Sequence, residues 1–231
     1  MNAVTQARPM SAEIPAVTLT DITNLIRSPA HYLDGLTQKR CSYREVIESA
    51  LVDVLHDPGT AGLSGLSHHD ATTVRRMAHR VRDNETAADI VTRGHRGKQW
   101  TWVDPETRIL CATTADFVAM GDSPAAVRVV TGQDSSHAGA RKTLAVDGAM
   151  IEAAMISECL YHTTGRRIQV FYVAVETVSP YAVAVYEIDG PTIKRGQSIY
   201  KGALELLVWC RQEDRWPGYQ PDGKPALISL L

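Results

Sequence analysis

The chain has 231 residues, enough for one large core, and its 44% hydrophobic and 22% charged residues are an ordinary globular balance. A formal net charge of -2 excludes an overall basic field, so any contact with nucleic acid must rest on a local patch or groove. Met1 to Pro15 lacks the apolar core of a secretory signal and no run approaches a membrane span, so the expected setting is the cytoplasm, with no membrane partner.

Residues 1–16 are polar, hold Pro9 and Pro15, and are expected to be disordered; one domain is expected over 17–231. Thr20 or Asp21 is expected to cap a short helix with Ile22, Leu25 and Ile26 on its apolar face. Ser28-Pro29 ends that helix, and a second segment runs from Ala30 to Leu36. Ser42 to Leu55 reads as a helix opened by a Ser42/Glu45 capping box. Gly59 to Ser67 is a loop. His69 to Val91 reads as one helix capped by Asp70, with Val74, Met77, Ala78, Val81 and Ile90 inward and Arg75, Arg76, Arg80 and Arg82 outward.

The period then changes to two. Gln99 to Val103 reads as a strand, Ile109 to Met120 as a second, bent strand, and Ala126 to Val130 as a third. A helix is expected over roughly Ala138 to His162, then strands Gln169 to Glu176 and Ala182 to Ile188, then a helix from Pro191 to Glu213. This order predicts an α/β (α+β mixed) fold with a central mixed sheet flanked by helices.

Several chemically suggestive groups have plain readings. Cys41, Cys111, Cys159 and Cys210 stand singly, without zinc-site spacing, and read as reduced, mostly buried thiols. His68, His69, His79 and His95 have no carboxylate at ligand spacing. Trp100 and Trp102 share one strand face and read as core rather than base-stacking residues. Ser135, Ser136 and His137 are sequence neighbours, which a catalytic triad does not require. The arginines from Arg75 to Arg96 suit either a phosphate backbone or a solvated face, since Asp83, Glu85 and Asp89 interleave.

Two stretches carry a family likeness. Ser28-Pro29-Ala30-His31-Tyr32 resembles the N-terminal signature of exonuclease VIII (RecE-type) nucleases. Phe171 to Glu176, Pro180 to Glu187, Ala203 to Leu206, and Trp216-Pro217-Gly218-Tyr219 are similar to the C-terminal half of that domain, and Trp102 to Thr107 with Ala115-Asp116-Phe117 to its β meander. The resemblance implies a PD-(D/E)xK, restriction-endonuclease-like core, related to lambda exonuclease, that digests duplex DNA with Mg²⁺ or Mn²⁺. It also implies a homo-oligomeric ring and a phage single-strand annealing protein as partner.

The same resemblance implies a site made of an Asp, a D-x-K on the next strand, a His on an early helix and a Gln on a later one. Asp116 stands at the first position; Thr131-Gly132-Gln133 stands for D-x-K, Val52 for the His and Glu152 for the Gln. Two outcomes follow. The site is eroded, leaving a protein that engages DNA (through Arg75, Arg76 and Arg141) or a partner in recombination or defence. Alternatively it is relocated: Asp116, Asp134 and Glu152 hold the metal, with Lys142 or Arg141 as the displaced cation. A third reading is a nuclease-like inhibitor that has lost DNA altogether.

Overall fold

The computed structural model describes residues 15–37, 41–59, 61–97, 99–220, 222, 224, 225 and 227. Most of the segment expected to be disordered therefore lies outside the described residues. The first helix, α1 (Leu19–Arg27), is capped by Thr18 rather than Thr20 or Asp21. Asp21 instead closes the box, its carboxylate accepting from the Thr18 N–H at 2.8 Å. Ser28 then caps α2 (Pro29–Gly35), with Pro29 in the first turn, where no N–H is needed. The expected Ser42/Glu45 box opens α3 (Tyr43–His56).

After a 3₁₀ turn at Ala61–Leu63, Ser67 caps α4 (His68–Asp83), and Asp70 sits in its first turn. The helix expected to continue to Val91 breaks at Asn84, which leaves helical conformation and caps α5 (Glu85–Arg93) with its own side chain. Both helices bury the same apolar stripe, so the period runs unbroken through the sequence while the backbone does not.

A five-stranded sheet has the order β1 (His95–Arg96), β4 (Phe117–Ala119), β5 (Ala125–Gly132), β6 (Gln169–Glu176), β7 (Val183–Glu187). Only the central β5/β6 pair is parallel, so the sheet is mixed. The bent strand expected over 109–120 is two strands: β3 (Leu110–Thr114) leaves to pair with β2 (Gln99–Val103) in a separate hairpin. Val17 adds to the edge of that hairpin through bonds with Leu110 and Ala112, each 2.8 Å.

Helices α3, α4 and α5 cover one sheet face, over Val127, Val129, Val173 and Val175. The other face packs Ala126, Val130, Val170 and Tyr172 under α6 (His137–Val146) and α7 (Ala149–Thr164). The helix expected over 138–162 is split between these two by Gly148, whose φ of 73° is a left-handed conformation that glycine adopts without strain. Last comes α8 (Gly190–Glu213), packed with α7, α1 and the hairpin. Trp102 is buried there edge-on to Tyr200, so its face is core. No helix among the described residues is long and apolar enough to cross a membrane.

Three of the four free thiols are buried and Cys41 alone is exposed. Burial pushes the Cys111 thiol up to about 12 and the Cys159 thiol up to about 11, which suppresses the reactive thiolate. Ellman titration of the native protein is expected to label Cys41 quickly and the other three only on unfolding; fast labelling of all four would contradict this packing.

Candidate functional site

The centre of the candidate site is a short polar chain across the middle of the sheet. Asp116 sits between β3 and β4, where its N–H donates to the Val127 carbonyl at 2.8 Å and its carbonyl accepts from the Gly97 N–H at 2.7 Å. Gly97 is required there, because a Cβ would lie 1.7 Å from the Ala115 carbonyl oxygen. The clamped backbone aims the Asp116 carboxylate at β5. One oxygen accepts from the Val129 N–H at 2.7 Å and the other from Arg128 Nη1 at 2.7 Å.

Arg128 is the one charged residue of a strand that otherwise buries Ala125, Ala126, Val127, Val129, Val130 and Thr131. Its Nε donates to Glu152 Oε1, in the first turn of α7, at 2.9 Å. The second Glu152 oxygen accepts from the Tyr172 hydroxyl on β6 at 2.7 Å, with the Ala149 carbonyl 3.2 Å from the same hydroxyl. A parallel arrangement runs beside it. Glu48 on α3 accepts from the Thr131 N–H at 2.6 Å and from Arg44 at 2.9 Å, and Arg44 reaches Asp147 at 2.7 Å.

The electrostatics follow from this geometry. Burial opposes the Arg128 charge, but Glu152 and Asp116 outweigh it and hold the guanidinium above even its ordinary range. Burial pushes the Asp116 carboxyl up, against the pull of Arg128 and the Val129 N–H. Burial, and then the Glu152 charge, raise the Tyr172 phenol well above its usual value, which keeps it a donor. The cleft over this centre, of about 260 Å³, is lined by Glu45, Glu48, Asp147 and Glu152 against Arg44 and Arg128. Both arginines are already bonded to carboxylates. The cleft therefore presents no unspent positive charge to a phosphodiester.

The divalent ion implied by the resemblance needs several free carboxylate lone pairs converging on one point. Here each oxygen of Asp116 and Glu152 has a protein donor, and the position between the two carboxylates is filled by a guanidinium. Among the described residues no group of three or more His, Cys, Asp or Glu is arranged to hold a metal. The residues present do not fit Mg²⁺ or Mn²⁺.

The structure brings Asp116 and Glu152 together and leaves the other candidates elsewhere. Asp134 lies beyond β5, where it accepts from the Ser136 N–H at 2.8 Å and joins neither carboxylate. Lys142 is exposed on α6. Arg141 lines a different groove, with His137, Tyr186 and Asp189. Arg75 and Arg76 are exposed on α4. On β5, Arg128 and Val130 face the cleft, while Thr131 faces Glu48, and Gly132 and Gln133 line the groove beyond it. Val52 is core, and Glu48, one turn earlier, is at the site with its α3 neighbour Arg44. Sequence reasoning passed over Arg128, Glu48, Arg44 and Tyr172. The available signal was Arg128 itself, since a lone charge inside a buried strand must be paired.

A family model described as a PDDEXK-like domain of unknown function (DUF3799) matches residues 67–224. No curated protein matches the chain at the level of sequence. Among solved structures, a provisionally assigned exonuclease of Eubacterium rectale is similar with a TM-score of 0.70, at 10% identity, over 94% of this chain and 90% of that one. The structure of SSO0001 is similar at 10% identity over 81% of this chain and 86% of that one, with a TM-score of 0.32, too low to bear on the fold.

Proposed function

The chain belongs to the PDDEXK-like DUF3799 family and has the restriction-endonuclease-like fold of the PD-(D/E)xK nucleases, and from that premise we propose that it is a nuclease-fold protein that holds DNA without cutting it. The SPAHY segment at Ser28 to Tyr32 and the C-terminal motifs favour the exonuclease VIII branch for its ancestry.

The observation that carries the proposal is a contrast between two sets of arginines. In the cleft, Arg44 and Arg128 are spent on Glu48, Asp147, Asp116 and Glu152. On the outer face of α4, Arg76 is held by a neutral group instead, and Arg80 is shared between a neutral carbonyl and Asp83. Arg76 donates to the Tyr181 hydroxyl at 3.3 Å, and Arg80 to the Pro180 carbonyl at 3.1 Å. With Arg75 and His79 they form a ledge against the β6–β7 turn. Asp83 is the acid of this region, paired with His79 at 2.8 Å and with Arg80 at 4.0 Å. Arg76, fixed by a neutral acceptor, keeps its charge for an external phosphate.

The ledge also adjoins the cleft. Arg44 lines both the cleft and a groove between α3 and α4 that includes Thr73 and Thr177, and the ledge begins next to them at Thr72 and Ser179. A duplex following this side of the molecule would rest on positive charge while passing a centre with none to offer.

End-labelled linear duplex DNA, incubated with Mg²⁺ and separately with Mn²⁺, is expected to stay intact and to be retained in a gel shift at low salt. Degradation that disappears in Asp116→Ala would overturn the non-cleaving reading. Intact DNA that never shifts would overturn the DNA-holding one and leave a partner-binding protein.

A further inference from the structure

We infer that Arg128 is a resident cation: its guanidinium neutralises the paired carboxylates of Asp116 and Glu152 in place of the divalent ion that a PD-(D/E)xK centre would use. The inference rests on the nuclease-fold reading above and deepens it, because it says what replaced the metal. Loss of a motif alone would leave a gap or an apolar repacking. Around the two acids the structure has neither. Four carboxylate oxygens face the centre, and each has one donor: two N–H groups of Arg128, the Val129 amide and the Tyr172 hydroxyl.

The placement on β5 makes the same point. Arg128 and Val130 are the alternate residues facing the cleft, at the spacing of an acid and a lysine in a D-x-K pair. The acidic position carries a cation, and the cationic position carries a buried valine. One reversal thus removes an anionic ligand and installs a cation beside the two acids that remain. Such a cation cannot dissociate, cannot be chelated and cannot polarise a phosphodiester from solution. The protein keeps the rigidity that a metal gives this centre and gives up dependence on the ion.

The test is metal rescue. Arg128→Ala leaves Asp116 and Glu152 facing each other without a cation, and in EDTA the melting midpoint is expected to fall by about 10 °C. Mn²⁺ or Mg²⁺ should recover most of that loss, because a ligand that binds only the folded state stabilises it. The same ions should leave the wild-type midpoint unmoved, and calorimetric titration with Mn²⁺ should detect a site in the variant and none in the wild type. A folded Arg128→Ala protein indifferent to both ions would sink the idea, as would Mn²⁺ binding in the wild-type cleft.

Should Arg128→Ala not fold, the triple change Arg128→Met, Asp116→Asn, Glu152→Gln decides the matter. With cation and carboxylates removed together it should fold and ignore metal; failure to fold would show that Arg128 is needed for packing and not for charge. A wild type that binds Mn²⁺ yet cuts nothing overturns this inference alone. A wild type that neither binds Mn²⁺ nor holds DNA overturns the proposed function alone.

Discussion

Asp116→Ala should destabilise the protein by about 3 kcal/mol, measured as the unfolding free energy in urea with EDTA present. The carboxylate accepts two charge-assisted bonds, from Arg128 and from the Val129 amide. Alanine removes both, leaving a backbone N–H unpaired and a guanidinium with one of its two acids. Breaking a buried pair from one side costs roughly 3–5 kcal/mol. The lower end applies here because burial already disfavours the Asp116 charge and Arg128 keeps Glu152. Asp116→Asn should cost less, since its amide oxygen still accepts from Val129.

The sign of this effect is the informative part. Carboxylates gathered to receive a metal repel one another while the metal is absent, so deleting one from a metal-free site relieves strain and stabilises. A site already neutralised by Arg128 behaves in the opposite way. An Asp116→Ala protein as stable as wild type, or more so, in EDTA would contradict the closed network.

How far the sequence reveals this centre depends on whether partners are local. The Ser42/Glu45 box, strand Gln99–Val103 and strand Gln169–Glu176 are visible because each signal spans a few residues. The break at Asn84 is hidden, because Val81 and Ala87 bury against the same core on either side of it. Gly148 is visible as a residue but not as a left-handed helix start, since the apolar run continues past it.

The site is harder still to read. Arg128 meets its acids across 12 and 24 residues of chain, on a loop and on α7, and Glu48 meets Thr131 across 83. A motif comparison asks which residue occupies a ligand's place. It does not ask whether a cation already neutralises the acids that remain. The resemblance sets the expected D-x-K at Thr131 to Gln133, at and just beyond the end of β5, and so passes over Arg128, the one charged residue in the strand.

Charge reversal on the ledge should have the largest effect on binding. Arg75→Glu with Arg76→Glu is expected to weaken duplex DNA binding by at least about 30-fold at low salt and to flatten the slope of log K against log salt by about 2. Both side chains are exposed on α4, so stability should change by less than about 0.5 kcal/mol. Among the described residues the internal contacts at stake are those of Arg76 with Tyr181, the exposed 3.3 Å bond to its hydroxyl and the guanidinium 6.0 Å from its ring centre. Arg141→Glu is the control that separates a located surface from general basicity. Arg141 lines a groove that also carries Glu187 and Asp189, so its charge is locally opposed and its reversal should leave binding near the wild-type value. If Arg141→Glu instead abolished binding while the ledge variant bound normally, the DNA would run past α6 and not α4. The cleft would then face the duplex from its other side, and the contrast between spent and unspent arginines would lose its meaning.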